Sequence, residues 1–330
     1  MSSVSSWHFG YGVIDKVVQI ICLIILVSIL FIFYSVTQMV ETKEMKEDEC
    51  YKFEDIVYDE GLFDKSIDAT YIIFLEGNEE RKSNIKTQLK KIQPSKNIHI
   101  LINKGFRKCK KDLKEQLPRY DLIDCFMKVF KDSQMKGYNN ILVLEDDFHF
   151  SEKIIDRPIL ESINDFIYSC SERNMDFIYL LGCVPYLQCP KDSFFSNNRR
   201  VLLSTGCHAC IYSKKFIQNI LNTDQKDIDD WDLHINFNCI HSSRFMYKEP
   251  LCYQLFYETD NYNSWIDSYN FKYIIMCVFK YLNMHKSPEP GFSYFYSFSF
   301  YVYYFLILIL SIIVISVIKF TRKIFHSSTN

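Results

Sequence analysis

The stretch GYNNILVLEDDFHF, residues 137–150, decides the fold of this 330-residue chain. Its apolar run ILVL is typical of a strand that is buried on both faces of a sheet. The run ends abruptly in three consecutive carboxylates, Glu145, Asp146 and Asp147. We therefore predict a central strand over Ile141–Asp147, with a polar site at its carboxyl end.

Strands and helices alternate on both sides of this stretch. Short apolar runs predict strands at Thr70–Leu75, Ile98–Asn103, Phe177–Gly182 and Val201–Tyr212. Apolar stripes with helical spacing predict helices at Glu79–Ile92, Leu122–Met135, Ile159–Cys170 and Lys214–Leu221. The alternation indicates an α/β fold with a mainly parallel sheet, in which ligands bind beyond the carboxyl ends of the strands.

Charge and motifs exclude several functions. Lys and Arg number 38 against 40 Asp and Glu, a net charge of -2, which argues against a nucleic-acid partner. The sequence contains neither GxGxxG nor GxxxxGK[ST], so dinucleotide-binding and P-loop functions lose their support.

Two uncharged segments predict a membrane protein. Residues 17–40 are long enough to cross a hydrocarbon core of about 30 Å and have the length of a signal anchor. Residues 291–318 form a second apolar segment with aromatics at one end and a basic tail, 319–330, at the other. The predicted order is a short tail (1–16), an anchor (17–40), an acidic stem (41–68), one domain (69–288), the second membrane segment (291–318) and the basic tail.

The cysteines do not determine the cellular compartment of the protein. There are 12, and the sequence alone does not determine their pairing. Cys183 with Cys189, and Cys239 with Cys252, are candidate disulfides for an oxidising compartment. The basic residues flanking the two spans nearly balance, so charge alone does not set the orientation.

The carboxylate triplet has two interpretations. Clustered carboxylates raise one another's pKa, and a divalent cation such as Mg²⁺ or Mn²⁺ relieves the repulsion while holding a diphosphate. In an extended chain Glu145 and Asp147 would face the same way, and His149 would lie close to the metal. The alternative is a solvated, inert junction between strand and loop.

A second acidic group surrounds Trp231. It includes Asp230 and Asp232, either of which is a candidate to deprotonate or orient an incoming hydroxyl. The alternative is the acidic first turn of a helix, where the helix dipole favours carboxylates.

The order of these motifs resembles glycosyltransferase family 25, which covers lipooligosaccharide and procollagen galactosyltransferases. The similar segments are YIIFLEGNEERKSNIKTQL, GYNNILVLEDDFHF, MDFIYLLG, LLSTGCHACIYSKKFIQNIL, DDWDLHI and EPLCYQ, between Thr70 and Gln254. The resemblance implies a GT-A-like nucleotide-diphospho-sugar transferase domain with a Rossmann-like mixed sheet, flanked here by N- and C-terminal transmembrane helices. It also implies a UDP-sugar donor, a divalent metal, an inverting mechanism, and a lumenal domain in the endoplasmic reticulum or Golgi.

The resemblance also implies residue roles. Asp147 would be the metal ligand, Glu145 and Asp146 would help to hold the ribose and metal, and Arg81 would lie near the nucleotide. Asp230 or Asp232 would act as base or acceptor binder. The acceptor would be a hydroxyl of a glycan or protein, and the sugar a hexose such as galactose.

Three positions depart from the family pattern. Phe74 stands at the family's asparagine, Gly77 at an arginine, and Cys125-Phe126 at a Ser-His pair. These departures favour an alternative function, a catalytically inactive homologue that acts as a membrane-bound binding or adaptor protein. A two-metal phosphodiesterase is a further alternative. It would need a basic groove for its substrate, and the sequence shows no evident basic cluster of that kind.

Overall fold

The computed structural model describes residues 50–254, 277–284 and 286–327, with side chains described as far as residue 319. These residues belong to one compact unit, Glu47–Asn330. The predicted tail 1–16 and anchor 17–40 lie outside the described residues.

Nine strands and six main helices make up the described part of the chain. The strands are β1 (Tyr51–Val57), β2 (Ala69–Leu75), β3 (Asn97–Asn103), β4 (Asn140–Glu145), β5 (Phe148–Phe150), β6 (Phe177–Pro190), β7 (Asn198–Ser213), β8 (Ser243–Tyr247) and β9 (Cys252–Gln254). The helices are α1 (Glu79–Lys91), α2 (Pro118–Met135), α3 (Arg157–Glu172), α4 (Lys214–Leu221), α5 (Trp231–Phe237) and α6 (Gly291–Ser327). The predicted strands and helices are confirmed, with shifted ends.

The main sheet is mixed and has seven strands in the order β1-β3-β2-β4-β7-β6-β8. Strand β2 is parallel to β3 and β4, while β7 is antiparallel to β4 and β6, and β8 is parallel to β6. Five strands therefore run in one direction, and β1 and β7 run in the other. A separate two-stranded sheet pairs β5 with β9.

Both faces of the sheet are buried, which explains the unbroken apolar run of β4. Ile141 and Val143 belong to the core beneath α2, α4 and α5, where the ring of Trp231 stacks on Phe126. Leu142 and Leu144 belong to the opposite core, beneath α1 and α3. Successive side chains of a strand point to opposite faces, so each must be apolar.

The prediction of a stem over residues 41–68 is wrong for residues 50–68, which the structure describes. Tyr51–Val57 form β1, which pairs with β3 along its whole length and adds an edge strand to the sheet. Its exposed acidic positions resemble a solvated segment because one side of an edge strand faces water.

The disulfide pairs suggested by the sequence are also wrong. Cys50 pairs with Cys109, whereas Cys183, Cys189, Cys239 and Cys252 are free. Cys183 and Cys189 lie on one strand, six residues apart, which places their Cα atoms about 20 Å apart at roughly 3.3 Å per residue. A disulfide needs a Cα separation below about 7 Å.

Helix α6 has two dissimilar parts. Phe292, Tyr296 and Phe300 at its beginning are buried against the domain, and Gln188 of β6 donates a hydrogen bond to Ser299 Oγ at 2.7 Å. The predicted boundary between domain and membrane segment at residues 288–291 is therefore wrong. The later part, through Ile318, is apolar and exposed, and residues Gly291–Lys319 are long and apolar enough to cross a membrane by length and composition.

Candidate active site

The connections of the sheet create a crevice between β2 and β4. The chain passes from β2 through α1 to β3 on one side of β2, and then through α2 to β4 on the other side. The connections after the two neighbouring strands thus leave in opposite directions. In open α/β sheets ligands bind beyond the carboxyl ends of such strands, and this region is here called the crevice.

The carboxylate triplet lies at this crevice. Glu145 is the last residue of β4, and the chain turns at Asp146 and Asp147 before β5 begins. The backbone N–H of Leu75, at the end of β2, donates to Asp146 Oδ2 at 3.1 Å, so this carboxylate bridges the two strands. Because the chain turns, the strict alternation predicted for an extended triplet does not hold.

Arg81 and Gln254 hold the two aspartates. Arg81 lies in the first turn of α1, and its guanidinium pairs with Asp146 and, at 3.3 Å from Nη2 to Oδ2, with Asp147. Gln254 is opposite Phe148 in the small sheet, and its amide donates to both oxygens of Asp147 at 3.2 and 3.1 Å. The pairing of β5 with β9 therefore sets the position of Asp147.

Asp232 comes to the same crevice from α5. Its carboxylate accepts hydrogen bonds from the backbone N–H groups of Gly206 at 2.7 Å and Cys207 at 3.2 Å. Gly206 has a φ of +64°, a conformation that favours glycine, and a Cβ added there would lie 3.8 Å from Gln254 Oε1. Gly206 of β7 thus binds Asp232 through its N–H group and lies beside Gln254, the partner of Asp147.

The other acids of the Trp231 segment have different tasks. Asp230 caps α5 and accepts from the Leu233 N–H at 3.0 Å. Asp229 is exposed and pairs with Lys114 at 2.7 Å, which lowers its pKa. The structure therefore brings Asp232 to the triplet and uses its neighbours for capping and surface pairing.

The cluster has four carboxylates and one arginine. Burial, together with the charges of Asp147 and Asp232, raises the pKa of Glu145 well above its usual range. Burial raises the pKa of Asp146 to about 6 even though Arg81 lowers it, and burial with the charge of Asp230 raises that of Asp232 to about 6. Burial also raises the pKa of Asp147. The cluster is thus short of positive charge, and its carboxylates bind protons more tightly than exposed carboxylates do.

The predicted metal-ligand set Asp147, Asp146 and His149 is not assembled. The ring of His149 is turned to α1, where Nδ1 accepts a hydrogen bond from Gln88 Nε2 at 2.9 Å. Among the described residues, no group of three or more His, Cys, Asp or Glu side chains is placed to hold a metal ion. Arg81 instead occupies both aspartates, so the donor set does not fit a divalent cation in this arrangement.

A basic loop after β3 adds a residue that the sequence reasoning missed. The φ of Gly77 is +96°, and a Cβ there would lie 3.2 Å from Lys108 Nζ. Lys108 is exposed, and no described residue forms an ion pair with it. In the sequence, the basic run RKCKK, residues 107–111, is the feature that indicates this cationic loop. An ammonium group thus lies at the position where the resembled family carries an arginine.

The remaining departures lie in the core. Phe74 is buried beneath α1, and Cys125 and Phe126 are buried in α2. Burial raises the pKa of the Cys125 thiol well above its usual range. These side chains pack the two faces of the sheet and do not reach the crevice as charged groups.

Comparison with known proteins gives little further information. No family model matches the chain, and no curated protein matches it. Similar solved structures include a protein from STIV, with a TM-score of 0.30 and 13% identity over 53% of this chain and 80% of that one. A glycosyltransferase involved in the glycosylation of the major capsid of PBCV-1 has a TM-score of 0.29 and 9% identity, over 52% and 77%. UDP-glucose pyrophosphorylase complexed with UDP-glucose has a TM-score of 0.29 and 8% identity, over 55% and 72%. At these TM-scores the likeness supports neither a family nor an activity, and membership of family 25 stays a prediction.

Proposed function

We propose that this protein is a membrane-anchored inverting glycosyltransferase that moves a hexose, such as galactose, from a UDP-sugar to a hydroxyl of a glycan or protein. One observation carries the proposal. The carboxylates of β4 and α5, distant in sequence, meet at the crevice where the strand connections diverge. The order of motifs that resembles family 25 supports the same function.

The charges suggest how the donor would be held. A diphosphate needs cationic partners, and the described structure offers Lys108 beside Gly77 of the β2–α1 turn and Arg81 in the first turn of α1. The carboxylates Asp146 and Asp147 fix the guanidinium of Arg81 in place. Lys108 has no competing ion pair among the described residues, so it is the stronger candidate for direct contact with phosphate.

Glu145 is our candidate for the general base. Asp230 and Asp232 accept hydrogen bonds from backbone N–H groups, whereas no hydrogen bond to the Glu145 carboxylate is found among the described residues. Burial raises the pKa of Glu145, which makes its carboxylate a stronger base than an ordinary glutamate. Asp232 then serves as a second candidate that orients the acceptor.

The proposed step is a single displacement. The carboxylate of Glu145 takes the proton of the acceptor hydroxyl while the hydroxyl oxygen forms a bond to the anomeric carbon. The bond from that carbon to the UDP oxygen breaks, and its electron pair leaves with UDP. Attack from the opposite side inverts the configuration, and the cationic side chains stabilise the departing diphosphate.

Metal dependence is a separate part of the proposal. The carboxylates have the oxygen chemistry that Mn²⁺ and Mg²⁺ prefer. The arrangement described here does not provide three converging ligands, so no role is derived for a metal ion.

The location is proposed from two features. Helix α6 is long and apolar enough to anchor the domain in a membrane. The Cys50–Cys109 disulfide favours an oxidising compartment, such as the lumen of the endoplasmic reticulum or Golgi.

The test is UDP release by the purified full chain across a panel of UDP-sugars, with Mn²⁺, Mg²⁺ or EDTA. We expect slow hydrolysis of one donor, lost in Asp147→Asn. Asp229→Asn is the matched control, because it removes an exposed carboxylate that pairs with Lys114 at the surface, outside the triplet. The comparison of Mn²⁺, Mg²⁺ and EDTA decides separately whether transfer depends on a metal ion.

The alternative is an inactive homologue. The observation that favours it is that Phe74, Cys125 and Phe126, which stand at polar positions of the family pattern, are buried in the core. Absence of UDP release, together with no heat of UDP binding in calorimetry, would favour this alternative. Absence of release with measurable UDP binding would indicate that the acceptor is required.

A further inference from the structure

A groove lies on the face of α1 that is turned away from the carboxylates. It has a volume of about 390 Å³, within the roughly 300–1,000 Å³ range of small-molecule pockets. Its floor is apolar and is formed by side chains of α1 and of the strands β1, β2 and β3, namely Ile56, Phe74, Ile85, Leu89, Ile100 and Ile102.

The groove exists because β1 extends the sheet beyond the cover of α1. Ile85 and Leu89 of α1 are buried, whereas Ile56 of the edge strand β1 and Ile100 and Ile102 of the next strand, β3, are only half-buried. An apolar sheet face is thus left incompletely covered along the side of the helix.

One wall of the groove is cationic. Lys82, Lys86 and Lys90 follow one another at four-residue spacing along α1, so they lie in a row on one face of the helix. All three are exposed, and none forms an ion pair with a described residue. Glu54 of β1 also lines the groove, which directs an anionic group toward the lysine row.

We propose that this groove binds an anionic membrane lipid, with one hydrocarbon chain on the apolar floor and the phosphate headgroup on the lysine row. The lysine row favours an anionic ligand because the charges are complementary. The apolar floor favours a hydrocarbon chain. The exposed apolar part of α6 is suited to keeping the domain beside a bilayer, where such lipids are available.

The experiment uses the full chain reconstituted in phosphatidylcholine vesicles. The vesicles contain either a photoactivatable phosphatidic acid or a photoactivatable phosphatidylcholine, each with the reactive group in one acyl chain. After illumination, the cross-linked peptides are identified by mass spectrometry. We expect cross-links to β1, β3 and α1 with phosphatidic acid, and about tenfold fewer with phosphatidylcholine, since lysines near the bilayer favour anionic lipids.

Variants separate the groove from general membrane binding. The triple variant Lys82→Glu, Lys86→Glu, Lys90→Glu should lose these cross-links by about tenfold or more. The triple arginine variant of the same positions should keep them, because the charge remains. The double variant Lys214→Glu, Lys215→Glu reverses charge on α4, outside the groove, and should also keep them. Circular dichroism verifies that each variant is folded.

Three outcomes would overturn the proposal. The first is the absence of groove cross-links, and the second is equal labelling by the two lipids. The third is labelling of the groove by a photoreactive peptide of residues 41–49, which are acidic, in place of the lipid.

Discussion

Two buried ion-pair networks at the carboxyl end of the sheet differ in their balance of charge. In the first, Lys111 pairs with Asp121, and Asn103 accepts from the ammonium group and donates to the carboxylate at 3.0 Å. In the second, Arg81 faces Asp146, Asp147, Glu145 and Asp232. The balanced network holds the loop that carries Lys108. The unbalanced network retains charge that a ligand or a proton can satisfy, which is the electrostatic signature of a functional site.

The largest expected effect is on the unbalanced network. Glu145→Gln should lower the rate of transfer by about 10²- to 10⁴-fold, the contribution of a positioned general base. The measurement is the steady-state rate of UDP release with saturating donor. Asp232→Asn, measured beside it, should have the smaller effect. The reverse order would make Asp232 the base.

Breaking the balanced network should affect stability. Lys111→Met leaves Asp121 buried without its cation, and we expect a loss of about 3–5 kcal/mol in the free energy of unfolding. Denaturant unfolding of the full chain measures this loss. The double variant Lys111→Met, Asp121→Leu should recover much of the stability, because no unpaired charge remains. Equal losses in both variants would show that packing, rather than charge, governs this site.

Lys108 lies on the loop that the balanced network holds, and its substitution tests whether this loop contributes to donor binding. Lys108→Ala should raise the KM for the UDP-sugar by roughly tenfold, as expected for the loss of one charge-assisted contact to phosphate. The turnover number should change less. Lys110→Ala is the matched control, because Lys110 is an exposed lysine of the same loop. A similar change of KM in both variants would indicate only a general effect of surface charge.

The smallest effect is a pH dependence of stability. The pKa of Asp232 is raised from 3.8 to about 6, so the folded state binds its proton more tightly than the unfolded chain. This contribution is fully present below pH 3.8 and is lost as the pH rises through about 6. The melting temperature should therefore fall less steeply between pH 4 and 6 in Asp232→Asn. An unchanged slope would contradict a raised pKa for Asp232.

Much of the fold follows from local patterns. The apolar runs of β2, β3, β4 and β6 and the helical stripes of α1 to α4 identify these elements, because burial on both sides of the sheet demands them. Strand β1 was missed because an edge strand with exposed acids lacks that pattern. The first turns of α6 were assigned to the membrane because Phe292 and Tyr296 are equally suited to a domain core.

The site was predicted in part. The triplet, Arg81 and Asp232 are recognisable from their residue types and order, and the structure brings them together. The turn at Asp146 and the orientation of His149 depend on β5 and its pairing with β9, a contact about a hundred residues apart. Lys108 reaches Gly77 only through the loop that the Lys111 network and the disulfide hold.

The sequence by itself determined the alternating α/β order, the location of the carboxylates at a strand end and the apolar character of the later part of α6. These properties depend on neighbouring residues, whose periodicity reflects burial directly. Tertiary structure alone decided which carboxylates share a crevice, that Arg81 rather than a set of three ligands occupies two of them, and that α1 leaves a cationic groove open. Such outcomes depend on contacts between distant segments, and local periodicity carries no information about them.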